Sequence, residues 1–249
     1  MPAVFVHGVP ETGEVWEGLR EHLDGDSIAL DLPGFGSPRP AGFGATKDEY
    51  AQWLAQELRG IEGPIDLIGH DWGAGLVLRV VSAPDVRLRS WAVDVAGVFA
   101  QDYVWHEFAQ IWQTPEAGEA WMAAVRAAPP GSPESVSAVL ASSGVPAAEA
   151  AAMAARFDAT MAESILDLYR SALPNVWADW GAELVGPARG PGLVLQPTAD
   201  PFDDAATSAA MAARLGARTE RLDGLGHWWM LQDLKAGAAV LQDFWSSLR

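Results

Sequence analysis

Apolar residues come in short dense runs along this chain, each closed by glycine, proline or a charged residue. Between them lie stretches with helical spacing. "AVFVHG" (3–8), "SIALDLPGFG" (27–36), "IDLIGHD" (65–71), "SWAVDVAGVF" (90–99), "GLVLQPTAD" (192–200) and "TERLDGLGH" (219–227) read as strands that run into turns. "TKDEYAQWLAQELRG" (46–60) reads as a helix, with Thr46 and Glu49 at capping-box spacing and Tyr50, Trp53, Leu54 and Leu58 on one face. Further helices are expected over 73–83, from about Ala205 to Leu215, and over the closing "KAGAAVLQDFWSSLR". Strands alternating with helices imply a parallel sheet covered on both faces. Residues from about 100 to 185 break the alternation. They are Ala-rich and aromatic, carry helical runs such as 148–173, and are interrupted at Pro129-Pro130-Gly131-Ser132-Pro133. This predicts a core of residues 1–99 and 186–249 with a helical lid, 100–185, over the sheet.

Ligands of open parallel sheets bind at the carboxyl ends of the strands. Five loops converge there: His7-Gly8-Val9-Pro10, Asp31-Leu32-Pro33-Gly34-Phe35-Gly36, the turn at Asp71, the turn at Asp200 and the turn at His227. Each alone is an ordinary turn, and their common placement is what points to a site. Gly69-His70-Asp71-Trp72-Gly73 has the small-x-X-x-small form of a nucleophile elbow, with aspartate where serine is usual. A carboxylate at the start of a helix is kept ionised by backbone N–H groups and the helix dipole. Its attack on an acyl carbon would give a high-energy anhydride. Attack on a saturated carbon bearing a leaving group gives an alkyl ester that water can hydrolyse. The second step needs a base, and His227 with Asp200 to orient it suits that role. Asp203 and Asp204 are rivals for Asp200, and Asp94, read as mid-strand, suits a structural role better.

Composition narrows the partners. Sixteen Lys and Arg against 33 Asp and Glu give a formal charge of −17, which repels polyanions and disfavours anionic lipid. There are no cysteines, which removes disulfides, thiolate metal sites and a thiol nucleophile. No apolar run reaches the ~18 residues of a membrane span, and no signal peptide is read, so a cytoplasmic protein is expected. The expected partner is a small molecule, with no cofactor and no metal; oligomeric state is left open. The 12 tryptophans are in the main core material, but Trp72, Trp105 and Trp228 flank the motifs, and a pocket lined by them with Tyr103 would be apolar and aromatic.

The motifs after His7, at Pro33-Gly34-Phe35-Gly36, at Gly69-His70-Asp71-Trp72-Gly73, at Asp200-Pro201 and at Gly226-His227-Trp228 resemble the α/β-hydrolase fold. More narrowly, they resemble its epoxide hydrolase and haloalkane dehalogenase branch, which has an Asp nucleophile. The resemblance runs through almost the whole chain and is vaguer in the lid. It implies that Val9 and Trp72 give backbone N–H groups to an oxyanion hole. In that family the His-Gly turn follows the third strand. Only six residues precede His7, so the resemblance implies a sheet without the usual first two strands, short on that edge and all parallel.

An epoxide leaves as an alkoxide and wants a proton donor, whereas a halide wants donors that keep their proton, usually Trp or Asn N–H. "LDLYRSALPNVW" resembles the epoxide hydrolase lid segment that carries the ring-opening tyrosine, here Tyr169. Its partner acid is expected early in the lid, where "QDYVWHEF" offers His106, the favoured candidate, and Tyr103. Val9 stands where many dehalogenases have a halide-holding Asn. Trp72 does not discriminate, and Trp105 or Trp112 could be a second halide donor. The arginines by which fluoroacetate-type dehalogenases grip a carboxylate have no counterpart after Asp71. The leading expectation is epoxide hydrolysis to a vicinal diol, ahead of halide release and of a ligand-binding protein with a dead site.

Overall fold

The computed structural model describes residues 1–82, 86–181 and 188–248. Six strands, β1 (Ala3–Val6), β2 (Ser27–Leu30), β3 (Ile65–Gly69), β4 (Leu88–Val93), β5 (Gly192–Pro197) and β6 (Arg218–Leu222), form one sheet in the order β2-β1-β3-β4-β5-β6. Every pairing is parallel, as the alternation of strands and helices implies. The inner strands are buried on both faces, while β2 and β6 at the edges are half-exposed and largely exposed.

The period-2 rule splits each strand between two layers. Val4, Val6 and Leu67 face the core under α2 (Lys47–Arg59), α3 (Trp72–Val81) and α10 (Ala205–Leu215). Phe5 and Ile68 face the layer built by α1 (Glu17–Arg20), α11 (Trp229–Gln232) and α12 (Leu234–Ser246). α2 starts with the capping box expected of Thr46 and Glu49. Tyr50, Leu54 and Leu58 are buried and Trp53 is half-buried against the same cluster.

Between β4 and β5 lie α4 (Glu107–Gln113), α5 (Ala117–Ala127), α6 (Val136–Ser142), α7 (Ala147–Arg156), α8 (Ala159–Arg170) and α9 (Trp177–Trp180). The run over 148–173 is two helices, because the Asp158 side chain accepts the Met161 N–H and starts a new one. The two chain crossings into this segment are tied together: the Trp105 indole donates to Ala172 O at 3.3 Å and the Asn175 amide donates to Tyr103 O at 3.1 Å. The expected boundary at 185/186 lies outside the described residues. The expected strand 90–99 starts earlier and stops at Val93. Val95 takes a left-handed conformation (φ 38°), and Ala96–Phe99 is a 3-10 turn. Among the described residues no helix is long and apolar enough to cross a membrane.

Register places the chemistry. Val6 pairs with both Leu30 and Gly69, and Gly69 pairs with Val93, so β1 to β4 end at one level. The chain leaves β1 toward β2 on one side and returns as β3 on the other. The crevice between the ends of β1 and β3 is therefore the topological switch point, where such sheets bind ligands.

Candidate active site

β3 ends at Gly69 and α3 begins at Trp72, leaving two residues for a sharp reversal. Asp71 takes φ 51°, ψ −121°, a conformation costing a non-glycine residue on the order of 1–3 kcal/mol. The elbow is held in that shape by close backbone contact. A Cβ on Gly73 would lie 2.2 Å from Val6 O, one on Gly69 2.4 Å from Gly73 O, and one on Gly8 2.4 Å from the Asp71 Cβ. The small residues of the motif are thus a packing requirement of the turn. Gly73→Ala is expected to lower stability by about 1–3 kcal/mol or more through overpacking against backbone that cannot give way. A thermal melt checks this: an unchanged midpoint would mean that the turn tolerates the methyl group.

The turn presents the Asp71 carboxylate to the crevice. Oδ1 accepts the Val9 N–H at 3.0 Å, and Oδ2 lies 3.7 Å from His227 Nε2. His227 Nδ1 is 2.8 Å from Asp200 Oδ2, and Asp200 Oδ1 accepts the Phe202 N–H at 2.8 Å. Asp200 is therefore held from both oxygens. Asp204 caps α10 instead, accepting the Thr207 N–H, and Asp203 bonds Ser208 and the Gly97 N–H. Burial alone would discharge His227, but the Asp200 carboxylate and, to a smaller degree, Asp71 outweigh it and raise its pKa. Burial raises Asp71, with His227 and His70 pulling the other way. Asp200 is lowered: its burial penalty is exceeded by the attraction of His227 and the hydrogen bonds it accepts.

Two cavities meet Asp71. Both are lined by Asp71, His106, Tyr169 and Phe202. The first continues from Val9 and His227 into an apolar chamber walled by Phe108, Trp112, Trp121 and Leu140. The second is bounded by Trp72, Phe99, Tyr103 and Trp105. Tyr169 is buried, with its ring 5.3 Å from that of Trp72 and 6.1 Å from His106. Burial and then the Asp71 charge hold its phenol well above the ordinary value, so it carries its proton. His106 caps α4. Its Nδ1 accepts the Ala109 N–H at 3.2 Å, which leaves the proton of the neutral ring on Nε2. Burial, reinforced by His227, lowers its pKa to about 4. Tyr103 is likewise held protonated, its phenol pushed up by burial and then by the Asp71 charge.

The indoles differ in what they can still donate. Trp105 stacks on Trp72 at 5.7 Å but has its N–H taken by Ala172 O. Trp228 lines the first cavity with its ring, while its N–H donates to Glu11 Oε1 at 2.6 Å. Glu11 was not legible in the sequence as part of the site, nor was the place of His70. Both lie directly behind the elbow, fully buried with Asp94. The available signal was a carboxylate, three residues past the His-Gly turn, in a loop otherwise short and apolar. Among the described residues no cluster of His, Asp and Glu has the arrangement of a metal site.

An all-parallel sheet with an acid-bearing elbow at the switch point, an Asp–His pair beside it and helices inserted after β4 defines a hydrolase of the α/β type. The chain belongs to the alpha/beta hydrolase family, whose profile matches residues 3–240. No curated protein matches it significantly in sequence. Among solved structures it is similar to the haloalkane dehalogenase DbeA from Bradyrhizobium elkani, with 21% identity over 99% of this chain and 91% of that one, and a TM-score of 0.72. It is similar to a mutant of an epoxide hydrolase from Bacillus megaterium, with 17% identity over 98% of this chain and 93% of that one, and a TM-score of 0.76. It is also similar to E-2-(acetamidomethylene)succinate hydrolase, with 20% identity over 99% of this chain and 92% of that one, and a TM-score of 0.68. At these identities the likeness is one of fold.

Proposed function

We propose that the protein hydrolyses epoxides of apolar or aromatic small molecules to vicinal diols through an ester on Asp71. The observation that carries this reading is the pair of proton-bearing donors, Tyr169 and neutral His106, lining both cavities with Asp71. Asp71 Oδ2 attacks one epoxide carbon and forms a C–O bond as the ring C–O bond breaks. The departing oxygen takes the Tyr169 proton and is hydrogen-bonded by His106 Nε2–H. His227 then takes a proton from water, and the hydroxide adds to Cγ of the ester. The Val9 and Trp72 N–H groups hold the resulting oxyanion, and its collapse releases the diol and restores the Asp71 carboxylate. The proton on His227 returns to Tyr169 through solvent. Esterification also removes the Asp71 negative charge that helps raise the His227 pKa, so the first step itself moves His227 toward its basic form. Helices α4 to α9 serve as the lid that closes the apolar chamber.

A halide would need N–H donors that keep their proton. Trp105 is committed to Ala172 O. Trp112 supports the second reading, haloalkane dehalogenation, because its buried N–H has no protein partner and its ring lies 4.9 Å from Tyr169.

The test is parallel assay of styrene-oxide-like epoxides and 1-haloalkanes with Tyr169→Phe. This change keeps the ring and removes the proton. A positioned acid is typically worth about 10²–10⁴-fold, so kcat for epoxides is expected to fall at least tenfold with the unfolding midpoint preserved. His106→Phe is expected to give a smaller loss in the same direction. Halide release without any diol would decide for dehalogenation, and no mass added to Asp71 by any reactive epoxide would leave a binding protein.

A further inference from the structure

Behind the elbow lies a second array of ionisable groups, fully buried and lining neither of the two cavities at Asp71: Glu11, His70 and Asp94. His70 Nδ1 is 2.6 Å from Asp94 Oδ2. His70 Nε2 is 3.1 Å from Glu11 Oε1, an ion-pair contact bent away from the axis of a linear hydrogen bond. A ring that meets a carboxylate oxygen at each nitrogen has no neutral tautomer that suits both, since one nitrogen would then turn a lone pair on an anion. The imidazolium suits both. The remaining acceptor sites of the two carboxylates reach three segments of the candidate site: the loop after β1, the Asp71 turn and the loop after His227. Glu11 Oε2 accepts the Gly8 N–H at 2.9 Å, next to the oxyanion loop, and Glu11 Oε1 accepts the Trp228 indole at 2.6 Å. Asp94 Oδ1 accepts the N–H of Asp71 itself at 3.0 Å, and Asp94 Oδ2 accepts the Trp229 indole at 2.7 Å. The His70 ring also lies 4.5 Å from the His227 ring.

We propose that His70 is a positioning residue: a permanently charged imidazolium that, through Glu11 and Asp94, ties the oxyanion loop, the Asp71 turn and the His227 loop into one unit and tunes the acidity of Asp71. The naming of the nucleophile rests on the epoxide reading, but the charged array does not. A buried histidine without charge would leave two buried carboxylates uncompensated, at a cost of several kcal/mol each. The array carries −1 as it stands, two carboxylates against one imidazolium. Removing the positive member should make Asp71 harder to ionise, and removing one negative member should make it easier. The shift of Asp71 by these groups agrees in sign: His70 lowers it and Glu11 raises it. The other groups facing Asp71 and His70 are His227, Asp200 and His7, with Tyr103 and Tyr169 across the cavity, and all of them stay in place in the two variants below.

The test reads charge directly, by carbon-13 NMR of labelled aspartate with Asp71→Asn used to assign the Asp71 carboxyl, and by nitrogen-15 NMR of labelled histidine. In the wild type both His70 ring nitrogens are expected to stay protonated from pH 6 to 9. The Asp71 midpoint is expected to rise in His70→Gln and to fall in Glu11→Gln, each by on the order of one pH unit. The acid limb of single-turnover ester formation is expected to move in the same two directions, with KM changed less than kcat. A neutral His70 in the wild type would overturn the proposal. Unmoved Asp71 midpoints in both variants, with only a loss of thermal stability, would reduce the array to packing. Should His70→Gln fail to fold, Glu11→Gln and the wild-type nitrogen spectrum still decide the matter. If no substrate ever labels Asp71 while the midpoints move as stated, the function assigned above is wrong and the array is not.

Discussion

His227→Gln is expected to gain the mass of one substrate molecule when an epoxide is added, and to keep it. Alkylation of Asp71 asks for an ionised carboxylate, a reachable carbon and a proton donor at the leaving oxygen. None of these comes from His227, since Tyr169 and His106 line the cavity from the inserted helices. Hydrolysis asks for a base on the water, and His227 Nε2, 3.7 Å from Asp71 Oδ2, is the group in reach. Glutamine fills much of the imidazole volume and keeps an amide donor but cannot take the proton. Steady-state diol release should therefore fall to near background while the first turnover persists as a burst. Intact-mass spectrometry after substrate addition, followed by peptide mapping to Asp71, checks it. Asp71→Asn in the same background should lose the adduct altogether. A His227 variant that turns over normally would remove the assigned base, and one that neither turns over nor labels would put His227 in the first step.

The sheet and its loops were legible because their residues obey simple periods. Val4 and Val6 against Ala3 and Phe5 alternate across two layers, and each run ends at a turn residue at the same sheet edge. The turn at Asp71 was legible because glycines at 69 and 73 are demanded by backbone contacts that leave no room for a methyl group. Asp94 was harder. An apolar run continues through "VDVAGVF", so periodicity extends the strand past it. The chain in fact leaves the sheet at Val93 and puts Asp94 at the strand end, against His70 and the Asp71 N–H. Glu11 was invisible for a related reason: its partners, Trp228 and His70, lie 217 and 59 positions away in sequence, and no local pattern encodes such a contact. The walls of the apolar chamber come from α4, α5, α6 and α8 packed together, so the choice of substrate follows from tertiary structure rather than from any motif.

Asp200→Asn and Asp94→Asn are expected to fail in different ways, and the difference tests which acid orients His227. Asp200 uses its two oxygens on two donors, the Phe202 N–H and His227 Nδ1–H. Asparagine has one acceptor oxygen. The Phe202 N–H is fixed by the backbone, so the oxygen should stay there and the amide NH₂ should face His227. That forces the imidazole to keep its proton on Nε2, where it cannot accept one from water. Loss of the orienting acid in a serine triad costs on the order of 10⁴ in rate through this tautomer error, and a loss of similar size is expected here. Folding should suffer less, because a neutral His227 is no longer a buried charge in want of a partner. Asp94 faces three donors: the Asp71 N–H, the Trp229 indole and His70. Asparagine there leaves a buried imidazolium short of one counter-charge and sets an NH₂ against another donor. Breaking a buried ion pair from one side typically costs about 3–5 kcal/mol, a fall in melting temperature of roughly 10 °C for a chain of this size. Below its melting range, Asp94→Asn should still hydrolyse the ester with His227 as base. Melting curves and single-turnover rates on the two variants decide the assignment. A stable Asp94→Asn protein that traps the ester, beside an Asp200→Asn protein that does not, would move the orienting acid to the end of β4.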